Sequence, residues 1–169
     1  MVEIREETAA DVEAIREVIR RAFGDEPVSP LVDRLRDDGL VVTSLLAVEG
    51  ERIVGHVLFS VLEIETGSGV VATATLSPLG VVPERQRAGI GSELVRRGLE
   101  VCRERGRAAV VVVGHPSYYP RFGFSAELAK TIRSRYSGAG EAWMALELRP
   151  GALVGGGEAR FPAAFDLVD

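Results

Sequence analysis

Two short stretches of this chain hold residues whose types and spacing suit chemistry. The first reads Leu79-Gly80-Val81-Val82-Pro83-Glu84-Arg85-Gln86-Arg87-Ala88-Gly89-Ile90-Gly91-Ser92. An apolar strand stops at Pro83, a basic turn follows, and two glycines one residue apart open an amphipathic helix. A helix start carries unpaired backbone N–H groups and the positive end of the helix dipole, so it suits an anion. Glycine at positions 89 and 91 removes the Cβ atoms that would hold a phosphate away. Arg85 and Arg87 place positive charge at the same spot. The chemistry implied is the holding of a pyrophosphate. Two common phosphate patterns are excluded. A P-loop needs Gly-Lys-Ser/Thr, and Gly91 is followed by Ser92-Glu93; a dinucleotide fingerprint needs a third glycine where Leu94 stands.

The second stretch is Gly114-His115-Pro116-Ser117-Tyr118-Tyr119-Pro120-Arg121-Phe122-Gly123-Phe124, with two adjacent phenols and an imidazole. His56 and His115 are the two histidines, the side chains that titrate near neutrality unaided. His56, between Gly55 and Val57 in a strand, reads as a core histidine. His115 directly follows a buried strand, at the edge where clefts of parallel sheets form, and is the candidate for proton transfer or acceptor contact. Cys102 is the lone cysteine, which excludes an intrachain disulfide and a cysteine-built metal site; no metal is expected. It falls on the apolar face of the helix after Gly91 and reads as a buried thiol, not a nucleophile.

The elements that must position these groups follow from hydrophobic period. Val2 to Arg5 alternates as a first strand. Thr8 caps a helix with Asp11 three residues on, and Val12, Ile15, Val18, Ile19 and Phe23 recur at helical spacing up to Gly24. Gly24 to Pro30 reads as a loop before a shorter helix carrying Leu31, Val32 and Leu35. Val41 to Val48 and Ile53 to Ile64 are strands joined at Glu49-Gly50-Glu51. Val70 to Val82 is a strand bent near Ser77-Pro78. The long helix from Ile90 ends at Gly106, and Ala108 to Val113 is a continuous apolar run, the mark of a strand buried on both faces. A strand, a helix and a strand in that order make a crossover, so Val70–Val82 and Ala108–Val113 should lie parallel. Ala142 to Leu148 alternates around Trp143 and should be antiparallel, while Arg160 to Phe165 shows little pattern.

Length and composition fit one globular α/β domain spanning 1–169. A net charge of −5 without a basic cluster argues against nucleic acid as a partner. The first residues, Val2-Glu3-Ile4-Arg5-Glu6-Glu7, lack the apolar run of a signal peptide, and no segment has the length of a membrane span. A soluble cytoplasmic protein, monomer or homodimer, without a membrane partner, is expected.

The Gln-x-x-Gly-x-Gly pattern of Gln86, Gly89 and Gly91, preceded by Val81-x-Pro83, resembles the coenzyme-A pyrophosphate loop of the GNAT superfamily of acetyl-CoA-dependent N-acetyltransferases. The resemblance extends from Val2 to about Leu148. It implies a mixed sheet with helices on both faces, in the order β-α-α-β-β-β-α-β-α-β-β. It also implies that the backbone from Arg87 through Ala88, Gly89, Ile90 and Gly91 to Ser92, with Gln86, holds the pyrophosphate. The strand around Leu79 and Val81 would pair with the pantetheine arm. The Tyr-x-x-x-Gly-Phe element of the family falls on Tyr119, Gly123 and Phe124, which implies Tyr119 as the acid that protonates the leaving thiolate, with Tyr118 as its neighbouring alternative. This wording, with Leu148–Leu153 and Phe161–Phe165, resembles the YhbS-like subgroup of predicted acetyltransferases.

One departure stands out. Many family members carry a glutamate on the strand before the Val-x-Pro end, and here Ala72-Thr73-Ala74-Thr75-Leu76-Ser77-Pro78-Leu79 has no carboxylate. Glu63 and Glu65, near the end of the preceding strand, are the remaining candidates for a base, beside their reading as solvated charges. Asp25 and Glu26, in the loop that frames the acceptor in the family, suit a cationic amine or a solvated turn. The expected function is transfer of an acetyl group from acetyl-CoA to a primary amine, on a small molecule or a protein, by direct attack. The missing carboxylate keeps open a non-catalytic acyl-CoA-binding module or sensor, and a longer acyl chain is a third reading.

Overall fold

The computed structural model describes residues 1–168. The strands are β1 (Val2–Glu6), β2 (Val41–Glu49), β3 (Arg52–Thr66), β4 (Gly69–Val81), β5 (Ala109–Val113), β6 (Ile132–Arg133), β7 (Trp143–Glu147) and β8 (Gly157–Arg160). The α-helices are α1 (Val12–Phe23), α2 (Val28–Asp37), α3 (Ile90–Glu104) and α4 (Ala126–Ala129). Strands pair in the order β1-β2-β3-β4-β5-β7, with β8 bonded to β3 and β6. The sheet is mixed: β1, β2 and β3 are antiparallel neighbours, β4 and β5 are parallel, and β7 runs antiparallel to β5. This is the expected element order with one short strand, β8, added at its end.

Residue contacts divide the chain into two units, with β3 and β4 each contributing to both. Among the described residues the first unit holds Met1–Ser60, Ser77–Val101 and 163–168. Its core is built from Ile15, Val18 and Ile19 of α1, Leu31, Val32 and Leu35 of α2, and Leu45, Leu46, Val57, Leu58 and Phe59 of the sheet. Ile90, Leu94 and Val95 add the apolar face of α3. Each fully buried aliphatic or aromatic side chain contributes about 1.5–3 kcal/mol relative to exposure, so these faces, not helix propensity, hold the elements down. The second unit holds Val61–Leu76 and Cys102–Pro162. Its core joins Leu62, Ile64, Ala109, Val111, Ile132, Trp143, Ala145 and Leu153, with Tyr136 and Phe161 packed against it.

Local departures from the sequence reading have simple causes. The Thr8 cap precedes a 3-10 turn, Ala9–Asp11, before α1 begins. Asp11 accepts from Thr8 N at 2.7 Å and Thr8 Oγ1 at 3.0 Å, and pairs with Arg5 at 2.8 Å. Helix α2 starts at Val28, inside the segment read as a loop to Pro30. Proline is tolerated in a first helical turn, where its missing N–H has no helical partner, and Val28 is buried. The tail read as patternless forms β8 and a 3-10 turn, Ala163–Val168. Strand β8 is Gly-Glu-Ala-Arg without apolar alternation; its identity comes from bonding to β3 and β6. Strand β4 runs through Ser77-Pro78, whose peptide bond is cis.

Candidate functional site

The first unit carries the glycine turn. Val82 N donates to Val54 O at 3.0 Å, a 3-10 turn covers Pro83–Arg85, and Gln86 N closes it on Pro83 O at 3.4 Å. The Gln86 side chain folds back and donates to Val81 O at 2.9 Å. The glutamine of the motif therefore fastens the turn to the strand end through its amide. Gln86, Arg87, Ala88 and Gly89 are exposed, and α3 begins at Ile90 with Glu93 N donating to Gly89 O at 3.1 Å.

Arg87 has φ 63°, the one non-glycine residue in the left-handed region among the described residues, and Gly89 follows with φ 85°. A left-handed arginine costs on the order of 1–2 kcal/mol, and such conformations persist at ligand sites where the surroundings enforce them. Left-handed residues in a turn point successive N–H groups toward a common centre, which makes an anion-binding concavity. A Cβ at Gly89 would meet nothing within 4 Å, so the space in front of the turn is open. The two arginines part company here. Arg85 donates to Glu49 at 2.7 Å, so its charge is engaged with β2 and does not stand free beside the turn, as the sequence reading had it. Arg87 is exposed and makes no ion pair among the described residues, so its charge stands beside the turn unengaged.

The second unit carries the tyrosine segment. Strand β5 ends at Val113, Gly114 N donates to Ala142 O at 3.0 Å, and His115 O accepts from Tyr118 N and Tyr119 N at 3.0 and 3.3 Å. His115 is exposed. The ring of Tyr119 lies against Gly114 so closely that a Cβ there would sit 2.2 Å from Cε2 of the tyrosine. Phe124 meets the Tyr119 ring edge-on at 5.7 Å, and Tyr118 does so at 5.0 Å. The Gly-Phe end of the motif thus builds a wall for Tyr119. Burial pushes the Tyr119 hydroxyl well above the ordinary phenol range, with Tyr118 adding to the effect. It therefore stays protonated at neutral pH. Tyr118 differs: it is half-buried, and the Arg121 guanidinium lies 4.5 Å over its ring. Glu63 lies in the same unit on β3, exposed and registered opposite Arg160, while its neighbour Glu65 pairs with Arg160 at 2.9 Å.

His56, in the first unit, is fully buried, as a core histidine should be. Arg36 pairs with Glu7 at 2.9 Å, Glu7 accepts from Ser44 Oγ, and Ser44 Oγ lies 2.9 Å from His56 Nε2. With its proton given to the carboxylate, Ser44 accepts from Nε2–H, which fixes the tautomer and leaves His56 Nδ1 an acceptor without a partner. Burial lowers His56 to about 4, with Glu7 and Arg36 acting in opposite senses. The unfolded chain takes up this proton below about pH 6.5 and the folded one only near pH 4. Stability is therefore lost as pH falls through that window, by about 3 kcal/mol from His56. Glu7, held below the usual carboxylate range against its desolvation by bonds from Arg36 and Ser44, works in the same direction. Melting curves from pH 7.5 to 4.5 should fall steeply, and His56→Gln should flatten the slope; a variant with the wild-type slope would refute the assignment. Cys102 is buried and its thiol is pushed up by burial to about 12, which removes it as a nucleophile.

Residues 3–126 match the acetyltransferase (GNAT) domain family. The chain belongs to the GNAT acetyltransferase family. The GNAT match includes both the glycine turn and the Tyr119 segment. The chain is 33% identical over 153 residues to the uncharacterised N-acetyltransferase YhbS of Escherichia coli strain K12, covering 90% of each chain. Its fold is similar to the crystal structure of the E. coli GNAT family N-acetyltransferase YhbS in complex with CoA, with TM-score 0.89, 31% identity, and 98% and 92% of the two chains covered. A GNAT family acetyltransferase from Brucella melitensis in complex with acetyl-CoA is similar with TM-score 0.81 and 31% identity, over 98% and 99% of the two chains. Membership makes the chain an acyltransferase of the N-acetyltransferase type on a GNAT fold.

Three features of these segments had no signal in the sequence. They are the Arg85–Glu49 pair, the ion pairs of Glu84 with Arg21 and Arg52, and the contact of Gly114 with Tyr119. The partners of Glu84 stand 63 and 32 residues away, beyond any local pattern.

Proposed function

We propose that this protein moves an acetyl group from acetyl-CoA to a primary amine, on a small molecule or a protein, by direct attack in a ternary complex in the cytoplasm. The observation that carries the donor half is the open turn with left-handed Arg87 and Gly89 at the start of α3. Backbone N–H groups from Arg87 to Ser92 hold the pyrophosphate, with the Arg87 side chain as counter-charge. Backbone groups of Leu79 and Val81 pair with the pantetheine arm; the Val81 carbonyl is already held by Gln86. The two structural relatives bound to CoA and acetyl-CoA support the same donor.

In the transfer, the amine nitrogen attacks the thioester carbon and a tetrahedral oxyanion forms. Its collapse breaks the C–S bond, and Tyr119 gives its hydroxyl proton to the departing thiolate. The amine proton leaves through water or through His115 or Glu63, the exposed titratable candidates. No carboxylate stands on β4 from Ala72 to Val81 to take it directly. That absence favours, as the second reading, a sensor that binds acyl-CoA without turnover.

The test is thiol release from acetyl-CoA with a panel of primary amines. Initial-velocity lines that intersect are expected. A ping-pong pattern would overturn direct transfer, and CoA binding without turnover on any amine would favour the sensor.

A further inference from the structure

We propose that Glu84 is a positioning residue for the coenzyme turn, its two carboxylate oxygens tying the base of the turn to α1 and to β3. This rests on the coenzyme reading above. Glu84 sits in the 3-10 turn immediately before the exposed stretch Gln86–Gly89. One oxygen accepts from Arg21 Nη2, in the last turn of α1, at 2.6 Å; the other accepts from Arg52 Nη2 at the start of β3. Arg85 is engaged with Glu49 of β2, and Gln86 with Val81 of β4. Three consecutive side chains thus fasten the turn to four strands and helices of one unit. A Cβ at Gly80 would lie 3.1 Å from Phe23 and 3.2 Å from Ala22, so the end of α1 also packs on the strand that feeds the turn. Beyond residue 86 the fastening stops and the open, left-handed tip begins.

This division has a purpose in physical terms. An anion concavity works only while its N–H groups converge, and an arginine left to itself relaxes out of the left-handed region. A braced base holds the tip in that state before the ligand arrives, and preorganisation of this kind lowers the cost of binding. A plain charge argument gives the opposite sign. Glu84 is a negative charge next to a phosphate site, so removing it should tighten the hold on an anion. Positioning predicts weaker binding. Exposed ion pairs add little to global stability, so the effect should appear in affinity and not in the melting temperature.

The experiment compares wild type and Glu84→Gln by calorimetric titration with CoA and with pantetheine, which lacks the pyrophosphate. The expected result is a CoA Kd raised about 10-fold, a pantetheine Kd within about 2-fold, and a melting temperature within about 2 °C. An unchanged or lower CoA Kd, or an equal loss for both ligands, would overturn the assignment. Arg52→Ala removes one leg only and should raise the CoA Kd about 3-fold with the same selectivity; if it does not, the assignment fails even where Glu84→Gln does not fold. A wild-type protein that bound no CoA would overturn both this role and the function on which it rests, whereas a binding-competent wild type matched by Glu84→Gln overturns this role alone.

Discussion

Replacing Gly89 with glutamate is expected to weaken CoA binding at least about 100-fold, or about 2.7 kcal/mol, while the protein stays folded. Gly89 has φ 85°, and a Cβ there meets nothing within 4 Å in the protein. The side chain therefore causes no internal clash; under the proposed coenzyme site it takes up space the diphosphate needs. Its carboxylate also brings a negative charge against a diphosphate. Strain from a non-glycine residue in the left-handed region costs on the order of 1–2 kcal/mol, which lowers the melting temperature by only a few degrees in a chain of this size. Gly89→Ala separates the two contributions: it carries the strain and a single methyl group without the charge, and should lose less affinity. Calorimetric titration with CoA beside a melting curve checks both. Unchanged affinity in Gly89→Glu would mean that the phosphate site lies elsewhere.

Replacing Tyr119 with phenylalanine is expected to lower kcat about 100-fold, with the KM for acetyl-CoA within about 3-fold. Loss of a proton donor to the leaving thiolate acts on the transition state, so kcat falls and ground-state binding of the donor does not. Phenylalanine keeps the ring that Phe124 and Tyr118 pack against, so the fold should tolerate it. Tyr118→Phe should remain close to wild type, because that ring sits under Arg121 and is only half-buried. Gly114→Ala tests the placement of the ring instead of its hydroxyl. The added methyl would lie 2.2 Å from Cε2 of Tyr119, so the ring must move and kcat must fall although the phenol is intact. The assay is steady-state thiol release with an amine that supports turnover. A Tyr119→Phe enzyme with kcat within 2-fold of wild type would remove the tyrosine from the mechanism.

The glycine turn, the crossover from β4 through α3 to β5, and the buried state of His56 and Cys102 were legible because each rests on a local signal. Helical period, a valine run and turn chemistry act over a few residues, and the chain obeys them here: β4 and β5 pair in parallel, and β7 returns antiparallel. Strand β8 and the start of α2 were not legible in the same way. Four residues without apolar alternation become a strand because β3 and β6 offer backbone partners, and Val28 becomes helical because burial of its side chain favours it.

The same split runs through the candidate site. By itself the sequence determined which groups are available: two glycines at a helix start, arginines beside them, a phenol followed by Gly-Phe, and no carboxylate on the strand between. It could not determine which arginine remains free, because Arg85 and Arg87 look alike until Glu49 is brought to the first of them. Nor could it show that Glu84 braces the turn, or that Gly114 makes room for the Tyr119 ring. Residue type and short spacing are properties of the chain, but the pairing of charges and the fit of a ring depend on segments that only folding brings together.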